Sequence, residues 1–237
     1  ALSELAFADD GRARIALAAP LGQQFHGFGE KTGPLDLRGH VLHMRNRDAP
    51  ITKTRDPLYA SIPFFLAWLP PSTLGDPSLA TGVFLDCHAA SRFDVAASDR
   101  TRVRMETRSG GIDLVIVPGP RPADVLRRFT ARVGRTPLPP RWALGHHQSR
   151  WSYGSERALR AVARELRTRG FPTDAIHLDI DHMRGFRVFT WDPRRFPDPP
   201  RLLRELRAQG FQTVAIVDPG VKIDPEWDLY RDGLARD

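Results

Sequence analysis

A single cysteine, Cys87, stands in the 237-residue chain, so no disulfide forms within it and nothing points to an oxidising compartment. Its setting, Gly-Val-Phe-Leu-Asp-Cys87, reads as a strand carrying a plain buried thiol. No apolar run reaches the ~20 residues that span a bilayer, and no basic-then-apolar leader opens the chain, which begins at Ala1 rather than Met. These absences predict a cytoplasmic protein with no membrane partner. The eight histidines show no His-Glu-x-x-His spacing, and one cysteine cannot seed a zinc site, so no metal or other cofactor is expected. Lysine is scarce as well, three of thirty-five basic residues, the rest being arginine. The net charge of +7 and pI near 10.4 invite a nucleic-acid reading. Against it, the arginines are scattered, and the longest basic runs are pairs such as Arg127-Arg128 and Arg194-Arg195. They read as solvated faces, and no nucleic-acid partner is expected.

What is present is a repeat. Residues 165–176 read Glu-Leu-Arg-Thr-Arg-Gly-Phe-Pro-Thr-Asp-Ala-Ile and residues 205–216 read Glu-Leu-Arg-Ala-Gln-Gly-Phe-Gln-Thr-Val-Ala-Ile, identical at eight of twelve positions. Each copy is a helix end, a glycine stop and a short apolar strand, followed by Asp179 or Asp218. A helix–Gly–strand unit at a forty-residue offset is the period of a β/α barrel, whose strand ends carry the chemistry.

Before residue 120 the pattern differs. Short strands are expected at Val41–Met44, Ile62–Leu69, Gly82–Cys87, Ser91–Ala96, Arg102–Thr107 and Ile112–Val117. Turn residues at Pro70-Pro71, Gly75-Asp76-Pro77 and Gly110-Gly111 divide them, an antiparallel sandwich pattern. A helix over 122–134 places Val125, Phe129 and Val133 on one face. Pro137-Leu-Pro-Pro140 then makes a stiff connector, giving a sandwich domain at 1–136 and a barrel portion at 137–237. In the latter, strands are expected at Trp142–His147, Ala175–Leu178 and Thr213–Val217. A helix over Ser155–Arg169 carries Leu159, Val162, Ala163 and Leu166 on one stripe, and a second starts at Asp198 with Pro199 at its first position. A closed barrel needs about eight strands, so three mark the chain as a fragment.

Leu178-Asp-Ile-Asp-His-Met183 falls at the end of the second barrel strand. Carboxylates at i and i+2 share one face if the strand continues, so Asp179 points into the barrel mouth and grips a polyhydroxylated ligand. The alternative is that one of these acids caps a neighbouring helix or pairs with an arginine. Asp181 either lines the pocket or braces Asp179. Asp218 is a turn-former or a pocket residue, and Trp151 an aromatic for sugar stacking or for packing. His146 and His147 point to opposite strand faces, so at most one of them faces the barrel interior. Gly27-Phe-Gly-Glu-Lys31 lacks both the third glycine and the following helix of a phosphate loop.

Several motifs occur in order: Gly27-Phe-Gly-Glu-Lys-Thr-Gly33, Asn46-Arg-Asp48, Leu58-Tyr-Ala-Ser-Ile-Pro-Phe-Phe65 and Pro139-Pro-Arg-Trp-Ala-Leu-Gly145. After them come Arg150-Trp-Ser-Tyr153, the Leu178–Met183 motif, Phe189-Thr-Trp-Asp192, Phe196-Pro197 and Asp218-Pro-Gly220. From about residue 22 onward this set resembles the α-glucosidases of glycoside hydrolase family 31. The resemblance implies a galactose mutarotase-like β-sandwich followed by the first three units of a (β/α)8 TIM barrel. It implies retaining hydrolysis of α-glycosidic, most readily α-glucosidic, bonds at the non-reducing end of an oligosaccharide or glucoside. By the same resemblance Asp48 reaches from a sandwich loop to the sugar, Trp151 lines that subsite, and Asp179 hydrogen-bonds sugar hydroxyls. Ile180 is then its apolar neighbour and Val221 an aliphatic pocket residue. The two reacting carboxylates of this family come from later strands, and the nucleophile's motif occurs nowhere in the chain, so no catalytic residue is assigned. His182 replaces the usual aromatic, and Arg184 stands where an Asp is common. The alternatives are an α-xylosidase or transglycosylase of the same family, or a non-catalytic carbohydrate-binding module.

Overall fold

The computed structural model describes residues 2–48, 56–71, 78–110 and 112–236. The expected turn at Gly75-Asp76-Pro77, and Gly111 of the next, lie outside them. The chain divides into two compact units, Ala1–Thr136 and Pro137–Asp237.

The first unit is a two-sheet antiparallel sandwich. Its strands are β1 (Leu2–Phe7), β2 (Ala13–Ala18), β3 (Gln24–Gly29), β4 (His40–Met44), β5 (Ser61–Leu69), β6 (Leu79–Leu85), β7 (Ser91–Val95), β8 (Arg102–Thr107) and β9 (Leu114–Gly119). One sheet runs β1-β2-β8-β7-β4 and the other β3-β5-β6-β9. Strand β8 alternates strictly, with Val103, Met105 and Thr107 inward and arginines outward, the pattern of a half-buried strand. Val103 and Met105 join Phe25, Phe28, Phe65 and Phe93, whose rings stack or meet edge to face at 5.2–6.2 Å. Strands β1 to β3 were not among the expected ones. Leu2–Phe7 and Ala13–Ala18 are rich in alanine and leucine, which give little strand signal, and they are fixed by pairing rather than propensity.

Helix α1 (Pro122–Val133) covers the outer face of the second sheet. Val125 is fully buried there and Phe129 stacks on Phe64 with centroids 3.9 Å apart. Gly82 permits this approach, because a Cβ on it would meet Val125 Cγ1 at 2.6 Å.

The second unit opens with a correction. Trp142–His147 is not a strand: Arg141–Leu144 forms a 3₁₀ turn, and the pairing strand β10 is His147–Gln148. Ala143 N–H donates to the Pro140 carbonyl and Gly145 N–H to that of Trp142, so the apolar run closes locally. A short apolar run cannot by itself distinguish a turn from a strand. Then follow α2 (Glu156–Thr168), β11 (Ala175–Leu178), α3 (Pro199–Ala208), β12 (Gln212–Ala215) and α4 (Asp228–Leu234). Ser155 and Asp198 cap α2 and α3 by accepting from Ala158 and Arg201 N–H. Strands β10, β11 and β12 pair in parallel in that order. Ile176 and Leu178 face the helices and bury with Leu159, Leu202, Leu206 and Phe211. Each such side chain contributes about 1.5–3 kcal/mol of hydrophobic stabilisation.

Candidate functional site

Because Ile176 and Leu178 point to the helices, strand alternation turns His177 to the opposite, inner face of the sheet. His147 joins it there, with Nδ1 at 3.1 Å from His177 Nε2, while His146 turns away to Thr173 Oγ1 at 3.1 Å. Asp179 is the next inner position, immediately past the last residue of β11.

The strand does not continue through Asp179 and Asp181, so the two carboxylates do not share a strand face. Asp179 instead caps a 3₁₀ turn over Ile180–His182, its Oδ1 accepting from Ile180 N–H at 2.7 Å. Asp181 makes no direct hydrogen bond to Asp179 among the described residues. Its Oδ1 accepts from Arg195 Nη1 at 3.2 Å, which ties the turn to the segment before α3. The cap and the arginine pairing both occur, one on each acid. What remains is one carboxylate, Asp179, whose Oδ2 meets no other group among the described residues.

His182 explains itself by packing. It is buried, its Nδ1 donates to the Asp179 carbonyl at 2.8 Å, and its ring meets the edge of Trp191 at 5.0 Å. Ile180 packs with Met183, Val188 and Trp227 in a small core behind the turn, giving Asp179 an apolar neighbour. The Trp151 ring is 81% exposed on the loop after β10, and Val221 is 48% exposed on the loop after β12. Asp218 is exposed on that same loop. The loops after β11 and β12 are joined: Lys222 Nζ donates to the Gly185 carbonyl at 2.9 Å, and Arg187 pairs with Asp224. No sequence signal links residues 37 positions apart, so this tie was not anticipated.

In the sandwich unit, residues 56–60, just before β5, are held from β3. A bulge at Gly27-Phe28-Gly29 turns the end of β3. Gly29 has φ +85°, and a Cβ on it would meet Ala60 O at 2.6 Å and Ile62 N at 2.7 Å. The bulge presents Glu30 Oε2 to the N–H groups of Tyr59 and Ala60 at 3.1 and 3.2 Å. It also places the buried Lys31 ammonium against Asp56 and the His43 carbonyl. The glycine-rich motif is thus a scaffold for residues 56–60. Tyr59 Oη donates to Asp48 Oδ1 at 2.8 Å, and that hydrogen bond and the carboxylate's charge raise the phenol's pKa. This partner of Asp48 was missed, although Tyr59 lies within one of the quoted motifs. Both groups are exposed, so the carboxylate is oriented but wet. Among the described residues no cluster of three metal-ligating side chains occurs, and no helix is long and apolar enough to cross a membrane.

Two family models match the chain. The glycosyl hydrolase 31 N-terminal galactose mutarotase-like domain matches residues 6–94, and the glycosyl hydrolases family 31 TIM-barrel domain matches residues 136–237. Alpha-glucosidase 2 of Bacillus thermoamyloliquefaciens is 45% identical over 216 residues, covering 90% of this chain and 26% of that protein. The alpha-glucosidase of Saccharolobus solfataricus is 32% identical over 91% of this chain and 30% of its own length. Among solved structures, a Flavobacterium johnsoniae family 31 dextranase complexed with isomaltotriose superposes with a TM-score of 0.83 at 27% identity, over 98% of this chain and 27% of that one. The chain therefore spans about a quarter of the length of the relatives it matches. Sandwich, parallel strands and motif order agree with both models, and the chain belongs to glycosyl hydrolase family 31.

Proposed function

We propose that this chain is the N-terminal portion of a retaining α-glucosidase acting at the non-reducing end of an α-linked glucoside or oligosaccharide. The carrying observation is the Asp179 carboxylate at the end of a parallel strand, one oxygen fixed by Ile180 N–H and the other open. An acceptor-only group so held suits a pair of sugar hydroxyls, and barrel enzymes work at this end of their strands. By the family resemblance Trp151 supplies an aromatic face and Ile180 and Val221 dry walls for the sugar that Asp179 holds, and Asp48, oriented by Tyr59, is a further sugar-binding carboxylate. Asp181 supports the site indirectly by holding the turn through Arg195. The nucleophile and the acid/base belong to later barrel strands, so these residues bind and orient sugar and break no bond.

The test is hydrolysis of 4-nitrophenyl α-glucoside by the intact enzyme, with the product anomer followed by NMR. A two-step displacement releases the α-anomer first. Release of the β-anomer, or no turnover, contradicts the reading.

A further inference from the structure

We propose that the rim of this site reads an anion on the leaving-group side of the substrate, through Arg184 and Lys222. The inference rests on the α-glucosidase reading and adds the class of substrate. Where the loops after β11 and β12 meet, three cations gather around Gly185. Lys222 Nζ donates to its carbonyl, Arg187 Nη1 lies against it, and Arg184 precedes it. One carboxylate answers them: Asp224, which pairs with Arg187 and whose side chain is 13% exposed. Among the described residues the Arg184 guanidinium has no partner, and the Lys222 ammonium meets a carbonyl and no acid. Other acids nearby are committed or apart. Asp181 and Asp192 are held by Arg195, and the exposed Asp218 and Glu226 bond neither cation. The junction therefore keeps two uncompensated positive charges facing water.

Their place decides which part of a substrate they meet. Asp179, at the strand end, repels an anion and suits neutral hydroxyls. Arg184 and Lys222 lie in the loops after β11 and β12, past the strand end that carries Asp179, so a substrate whose terminal sugar Asp179 holds would extend its leaving group toward them. Phe186, 57% exposed with φ +61°, follows Gly185 in the same loop. A left-handed backbone is uncommon for an aromatic residue and is found at functional loops. Two exposed cations and an exposed aromatic in adjoining loops fit an organic leaving group that bears a carboxylate or phosphate-like anion.

The experiment compares kcat/KM of the intact enzyme for 4-carboxyphenyl and 4-carbamoylphenyl α-glucosides, near-isosteres that differ in charge. A matching phosphonate separates a rim that takes any anion from one that favours a dianion. We expect the ratio of carboxylate to amide to be roughly three- to tenfold higher in the wild type than in Arg184→Gln, as suits exposed charges, and to fall with added salt. Arg184→Lys should keep the ratio, Arg184→Glu should invert its shift, and Lys222→Gln should lower it independently. Thermal melts check that each variant is folded. A ratio unchanged in Arg184→Glu, or insensitive to salt, overturns the inference while leaving the α-glucosidase reading intact. Turnover of neither glucoside overturns both.

Discussion

Replacing Asp179 with asparagine isolates charge from shape. Asp179 Oδ1 accepts from Ile180 N–H at 2.7 Å, and the asparagine carbonyl accepts the same bond, so the 3₁₀ turn keeps its cap. Asparagine is as good a helix cap as aspartate, and the melting temperature should move little. The free oxygen is what changes. In place of an anionic acceptor the substrate meets an amide NH2, losing a hydrogen bond to a charged group that is worth about 1.5–3 kcal/mol. At about 1.4 kcal/mol per decade, kcat/KM should fall roughly ten- to hundredfold. The assay is kcat/KM on a neutral α-glucoside with the intact enzyme, beside a thermal melt. Wild-type kinetics would remove Asp179 from the sugar site, and a collapsed melt would make it a structural residue.

Other outcomes follow from the same geometry. Asp181→Asn loses an ion pair whose partners are 29% and 46% exposed, so kcat/KM should change by less than about fivefold. A larger loss than for Asp179→Asn would reverse the two roles. The isolated 237-residue chain should not hydrolyse 4-nitrophenyl α-glucoside above a denatured control, because it carries neither reacting carboxylate; measurable turnover would refute this. Gly29→Ala forces a Cβ against backbone atoms at 2.6 and 2.7 Å at a left-handed φ, and should cost about 2–5 kcal/mol in a denaturant melt. A cost under about 1 kcal/mol would show that residues 60–62 shift freely. Asp94 is buried, which alone would raise its pKa, but hydrogen bonds from Ser98 and Ala97 and the charge of Arg92 outweigh that and hold it below the ordinary value. A lowered folded pKa stabilises fully above the unfolded value near 4 and loses that as pH falls through the folded one. The stability advantage of wild type over Asp94→Asn should therefore be present at pH 7 and shrink below about pH 4. An advantage that grows in acid would refute this.

The repeat at 165–176 and 205–216 made the strand–helix register of the barrel portion legible, because its helix ends, glycines and apolar tetrads are local signals. Strand β8 was legible to the residue through its strict alternation. The Trp142–His147 segment was not, since three apolar residues after two prolines satisfy a turn as readily as a strand. The place of Asp179 just past a strand end was legible, but the spacing of Asp181 suggested a shared strand face that the 3₁₀ turn removes. The ties at Lys222–Gly185 and Arg187–Asp224 depend on separations that only folding brings together. The resemblance supplied Asp48, whose exposed position carries no local signal of function, and the fold supplied Tyr59, which orients it.

The most direct measurement is a crystal structure of the intact enzyme with glucose bound. The account predicts a sugar hydroxyl within about 3.2 Å of the Asp179 carboxylate. Glucose seated elsewhere would contradict it.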